Sequence, residues 1–265
     1  MRRCVLAILG VLACAGASAS AARAQGAPLL TLSDTGLFPE GISRDAAHQR
    51  WLVSSVRNRT IVAVGDDGRI TPFARDLPAD VGAILGIRVD AARGVVWATS
   101  AGLPPMAGFQ PRDSSRAMVL RLSLADGRLI QRITLPAADT MRAPGDVIVG
   151  PDGTAYVSDA TAKRIYEFAP DGSLRRMLTS SFFHSVQGMV LAPDGSSLIA
   201  ADYRHGLVRV PLTGSDTATR IMTEDGQRVQ GIEGLASHRS ALVATHTGSA
   251  PGRVLRMTLS ADSRT

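Results

Sequence analysis

Val147-Ile148-Val149-Gly150-Pro151-Asp152-Gly153-Thr154-Ala155-Tyr156-Val157-Ser158-Asp159 joins two short β-branched runs through a Pro-Asp-Gly turn. Two further runs follow, Arg164–Phe168 and Leu174–Leu178, with Asp171-Gly172 between them. Asp-Gly between apolar β-runs is a strong hairpin signal, because both residues tolerate φ > 0. The stretch therefore predicts a meander of four antiparallel strands.

That unit recurs. Segments beginning Glu40-Gly41-Ile42, Leu85-Gly86-Ile87, Gly145-Asp146-Val147, Gln187-Gly188-Met189 and Glu233-Gly234-Leu235 are spaced by 45, 60, 42 and 46 residues. A Gly- and Pro-rich insert, Gly102 to Arg116, accounts for the long interval and is expected between the second and third units, as a surface loop or a lid over the tunnel. The turns repeat with the period: Asp67-Gly68, Asp126-Gly127 and Asp171-Gly172 join third to fourth strands, and Asp152-Gly153 and Asp194-Gly195 first to second. No amphipathic helix fits between the strands, which argues against a βα fold. About 45 residues per unit is the period of a propeller blade. The chain is thus expected to be all-β, a β-propeller of four-stranded blades with five repeats visible. The last repeat shows three strands, near Gly234–Ala236, Ala241–Thr245 and Val254–Leu259. Leu29–Leu32 supplies the fourth if the two chain ends close the ring; otherwise the last blade of a six-bladed architecture is shortened.

Residues 1–24 read as an export signal, with Arg2 and Arg3 as the charged region, Val5–Ala17 as the apolar region and Ala22-Arg23-Ala24 as the cleavage site. Residues 25–265 then form one propeller domain, periplasmic or secreted. Val11-Leu12-Ala13-Cys14 resembles a lipobox, so a lipoprotein anchored at Cys14 is the alternative. Both cysteines, Cys4 and Cys14, lie in this segment, so the mature chain has neither a disulfide nor a cysteine metal site. No stretch reaches the length of a transmembrane helix.

The formal charge of +6 points on its face to an anionic partner. Half of it leaves with Arg2, Arg3 and Arg23, and the remaining arginines form no run or stripe. With aromatics at 4%, there are too few stacking platforms for single-stranded nucleic acid, and no nucleic-acid partner is implied. Lys163 is the only lysine and Asn58 the only asparagine, a bias expected of a GC-rich coding background.

Phe38-Pro39-Glu40-Gly41-Ile42, the strand Gly145–Asp159 and Val186-Gln187-Gly188-Met189-Val190-Leu191-Ala192-Pro193-Asp194-Gly195 together resemble the senescence-marker-protein/gluconolactonase (regucalcin-like) propellers. The resemblance covers roughly residues 35–260. It implies a six-bladed family, many of whose members hold one divalent cation in the central tunnel and open lactones or related esters. It further implies metal ligands at Glu40, at Gln187 where the family usually has Asn, and at Glu233 where it has Asp. Gly145 lacks a side chain that often supports the site, whereas Asp146 beside it is retained. The cation expected is Ca²⁺ first, with Mg²⁺, Mn²⁺ or Zn²⁺ as alternatives. Asp146 or His184 is the candidate to accept a proton from water activated for attack on a lactone or ester. The alternative is a non-catalytic propeller whose face binds a protein, peptide or small ligand; the carboxylates are then solvated or paired with Arg88 or another arginine.

Ser54, Ser100, Asp159, Asp202 and His246 recur near the ends of second strands, where short polar side chains bond turn backbone. No G-x-S-x-G, H-E-x-x-H, Walker or dinucleotide-binding pattern occurs. The five histidines are dispersed without zinc-finger spacing.

Overall fold

The computed structural model describes residues 31–136, 141–213 and 218–260. The export segment, the lipobox and the first half of Leu29–Leu32 lie outside these residues. Five antiparallel sheets follow one another along the chain as the blades of a β-propeller. Blade 1 is β1 (Pro39–Asp45), β2 (Arg50–Ser55), β3 (Thr60–Gly65) and β4 (Ile70–Pro72). Blade 2 is β5 (Ala83–Asp90), β6 (Val95–Ala101), β7 (Ala117–Ser123) and β8 (Leu129–Thr134). Blade 3 is β9 (Pro144–Val149), β10 (Ala155–Asp159), β11 (Arg164–Phe168) and β12 (Leu174–Thr179). Blade 4 is β13 (Val186–Leu191), β14 (Ser197–Asp202), β15 (Gly206–Pro211) and β16 (Thr219–Arg220). Blade 5 has three strands among the described residues, β17 (Ile232–His238), β18 (Ala241–His246) and β19 (Arg253–Thr258). No helix of the described residues is long and apolar enough to cross a membrane.

The Asp-Gly turns form as the sequence predicts, with the work divided between the two residues. Glycine takes the left-handed conformation (φ 88° at Gly153, 89° at Gly172). The aspartate accepts the backbone N–H two residues on, Thr154 for Asp152 at 3.0 Å and Ser173 for Asp171 at 2.9 Å.

The repeated inner-strand triplet also has a physical cause. Its middle residue sits at a register shift in β1, β5, β13 and β17, where the strand bulges toward the next blade. A Cβ on Gly86 would fall 2.5 Å from the carbonyl oxygen of Gly145 in blade 3. One on Gly188 would fall 2.5 Å from the backbone nitrogen of Leu235 in blade 5. Only glycine admits such contact, so the sequence period records inner-strand packing around the axis. At Gly234, by contrast, the nearest atoms to such a Cβ all belong to Thr245 of the same blade. Among the described residues, no atom of another blade comes closer to that place than these Thr245 atoms.

Apolar layers between consecutive blades form the core. Leu52, Ile61 and Phe73 of blade 1 meet Ile84, Ile87 and Leu120 of blade 2. Val95 and Trp97 meet Val157, Tyr166 and Phe168 between blades 2 and 3. Ile165 and Leu178 meet Met189 and Leu198 between blades 3 and 4. Ile199 and Leu207 meet Leu235 and Leu242 between blades 4 and 5. The 102–116 insert lies inside blade 2, between β6 and β7, and not between blades 2 and 3 as its place in the repeat spacing indicated. Its Met106 is buried against Val56, Leu85 and Ala101, which anchors the loop beside blades 1 and 2.

Candidate functional site

Antiparallel pairing places the start of each inner strand beside the end of its second strand: Pro39 opposite Ser55, Pro144 opposite Asp159, Val186 opposite Asp202, Ile232 opposite His246. The links entering each blade and the turns between second and third strands therefore share one end of the propeller. Glu40, Asp146, Gln187 and Glu233 all lie at this mouth, on four different inner strands.

Two columns of polar side chains build the rim. In the first, hydroxyls brace the bulged triplets: Gly41 donates its N–H to Ser54 Oγ (2.7 Å), Gly86 to Thr99 Oγ1 (2.9 Å), Asp146 to Ser158 Oγ (3.0 Å) and Gly234 to Thr245 Oγ1 (2.8 Å). Ala201 holds the equivalent place in blade 4 and offers no hydroxyl. The second column is Ser55, Ser100, Asp159, Asp202 and His246, so Ser54 belongs one residue away from the register that the sequence spacing indicates. Ser55, Asp159 and Asp202 fasten turn backbone, whereas His246 Nδ1 lies 3.4 Å from the Ser249 side-chain Oγ. Asp159 accepts from Ala162 N–H (3.1 Å) and from Thr161 Oγ1 (3.1 Å). It also accepts from Arg142, whose Nε and Nη2 reach Asp159 Oδ2 at 2.9 and 2.7 Å. Arg142 is 1% exposed and also donates to the Tyr166 hydroxyl at 2.6 Å.

Asp146 bridges two blades. Its Oδ2 accepts the N–H of Met189 in blade 4 at 2.8 Å, and its Oδ1 accepts that of Val147 at 2.8 Å. Desolvation pushes its carboxyl above the ordinary range, although the Met189 N–H, Arg88 and the Val147 N–H pull the other way. Gln187 donates from Nε2 to Ser185 Oγ at 3.0 Å. Its Oε1 lies 3.7 Å from the place a Cβ on Gly145 would take. The longer amide side chain thus occupies the room left by the missing side chain at Gly145.

Glu40 and Glu233 come from blades 1 and 5 and make no ion pair among the described residues. Lost solvation at the mouth raises the Glu40 carboxyl above its ordinary value, and the charge of Glu233 raises it further. Glu40 keeps an exposed surface, so the desolvation is partial and the like charge nearby is the more informative cause.

The His184 ring stacks on His205, with centroids 4.0 Å apart, and its Nδ1 lies 3.2 Å from the carbonyl oxygen of Phe182. His205, from the turn after β14, was not singled out in the sequence; the polar residue Asp202 at the end of that strand was the available signal.

No protein-family model matches the chain, and no curated protein matches its sequence. Solved structures do match in fold. Virginiamycin B lyase from Staphylococcus aureus aligns over 88% of this chain and 74% of its own, at 17% identity and a TM-score of 0.57. A gluconolactonase-like protein aligns over 86% of this chain and 80% of its own, at 18% identity and a TM-score of 0.57. A structure of the nidogen/laminin complex aligns over 84% of this chain and 76% of its own, at 18% identity and a TM-score of 0.62. At these identities the similarity is one of fold, and propellers host both enzymes and binding modules.

Proposed function

We propose that the propeller mouth holds a divalent cation through Glu40, Glu233 and the amide oxygen of Gln187, and that the chain hydrolyses a lactone or related ester there. The observation that carries this reading is the presence of Glu40, Gln187 and Glu233 at one end of the propeller, on three different inner strands, with the Glu233 charge among the causes that raise the Glu40 carboxyl. Like charges brought together at a partly desolvated mouth are destabilising alone and favourable around a dication. Two carboxylates and an amide oxygen form a hard donor set suited to Ca²⁺ or Mg²⁺. A dication there supplies Lewis-acid polarisation of the scissile carbonyl.

The chain's own groups supply the rest. Ser185 fixes the Gln187 amide so that its oxygen is free to face the mouth. Asp146 is the proton acceptor in this reading: each of its oxygens accepts one backbone N–H and keeps another lone pair, and desolvation raises its proton affinity. His184, engaged with His205 and Phe182, takes no part in the step.

A panel of sugar lactones and aryl esters, assayed with Ca²⁺, Mn²⁺ or Zn²⁺ and then with chelator, tests the proposal. Turnover that chelator abolishes supports it; turnover absent or indifferent to chelator contradicts it. The second reading is then a binding module, favoured by the engagement of both Asp146 oxygens in holding blades 3 and 4 together.

A further inference from the structure

We infer that His184 and His205 form a second cation site, specific for a borderline dication of the Zn²⁺, Ni²⁺ or Cu²⁺ type, with Asp202 as the carboxylate that orients it. His184 lies in the link entering blade 4 and His205 in the turn leaving β14. The pairing of Val186 with Asp202 brings these two loops together at the mouth end of one blade. One potential ligand atom from each of His184, Asp202 and His205 lies within 4.8 Å of the others, the one such grouping of three among the described residues.

The loops are fixed before any cation arrives. Asp202 is 1% exposed, and its Oδ2 accepts the N–H groups of His184 (2.6 Å) and Ser185 (2.7 Å). Its Oδ1 accepts the N–H groups of Arg204 (3.2 Å) and His205 (3.0 Å). One buried carboxylate therefore sets the backbone of both histidines.

The ring contacts then decide which nitrogens remain available. His205 Nδ1 lies 3.1 Å from Asp202 Oδ1, and His184 Nδ1 lies 3.2 Å from the Phe182 carbonyl oxygen. Both neighbours are acceptors, so each neutral ring carries its proton on Nδ1 and leaves the lone pair on Nε2. A carboxylate or backbone carbonyl on the far nitrogen is the arrangement that raises the basicity of a metal-binding imidazole and holds its ring in place. Here both rings have one.

Charge and donor type select the cation. Arg220 stacks over Phe182 (4.8 Å) and donates to the His205 carbonyl at 3.4 Å, placing a positive charge near that of Asp202. With little net charge, the site offers a hard cation such as Ca²⁺ no advantage. Neutral imidazole nitrogens favour Zn²⁺, Ni²⁺ and Cu²⁺. His184 is exposed and His205 partly so, which leaves positions open for water or an exogenous ligand.

Titration calorimetry of the untagged protein with Zn²⁺, alone and with Ca²⁺ in excess, beside His184→Ala, His205→Gln and the double variant, tests the site. With Ca²⁺ in excess, the expected result is one Zn²⁺ per chain at this site, weakened at least about tenfold by either substitution and lost in the double variant. Long-range ¹⁵N–¹H spectra should show Zn²⁺ moving the Nε2 resonances of His184 and His205. Excess Ca²⁺ is expected to leave this Zn²⁺ event in place, which separates the site from the oxygen donors at the mouth. Undiminished binding in the folded double variant, no saturable Zn²⁺ binding in the parent, or a Zn²⁺ response confined to other histidines overturns the inference.

Discussion

The Asp146 carboxylate on the third inner strand accepts the backbone N–H of Met189 on the fourth, at 2.8 Å. This bond stands where the triplets of blades 1, 2 and 4 have glycine and direct backbone approach. It joins two blades with a charge that desolvation makes costly. Asp146→Asn keeps the shape but can present only one oxygen to two N–H donors. We expect a loss of about 1–3 kcal/mol in denaturant unfolding, the scale of an unsatisfied buried group.

Because the folded carboxyl of Asp146 is raised, the native state binds more protons than the unfolded one across the window above the ordinary aspartate value. Its contribution to stability is therefore fully present at low pH and is lost as pH rises through the raised folded value. Unfolding measured against pH should fall less steeply over that window in Asp146→Asn than in the parent.

Glycine close to the next blade should behave differently from glycine facing away. Gly188→Ala forces a methyl to within 2.5 Å of Leu235 backbone and is expected to cost about 1–3 kcal/mol. Gly234→Ala meets only Thr245 of its own blade and should cost clearly less. Chemical denaturation of both variants checks the contrast; equal losses would argue against inner-strand approach as the origin of the repeat.

Arg142 and Asp159 form a buried pair, 1% and 0% exposed. Arg142→Met strands a buried carboxylate and is expected to cost about 3–5 kcal/mol, whereas Arg142→Met with Asp159→Leu should recover much of it. A double-mutant cycle by thermal unfolding measures the difference.

The propeller was legible because its punctuation has local causes. Asp-Gly turns need a left-handed glycine, and the inner triplets need a residue without Cβ where backbones meet. Both leave marks at fixed spacing. The placement of Glu40, Asp146, Gln187 and Glu233 at one end followed from the same period. Register was less legible. Ser54 falls one residue from the column because Pro39 pairs with Ser55, a register that counting from the strand start does not show. The insert was assigned between blades because spacing alone does not show which hairpin it interrupts. His205 carried no signal of its own: its proximity to His184, 21 residues earlier, arises only when β13 pairs with β14.

Calorimetric titration with Ca²⁺ of the parent and Glu40→Gln tests for a dication site held by Glu40 and Glu233. Saturable binding is expected in the parent and its loss in Glu40→Gln. The variant should itself unfold at slightly higher denaturant without Ca²⁺, because the repulsion from Glu233 is gone. Equal Ca²⁺ binding by both proteins, or none by the folded parent, would contradict such a site.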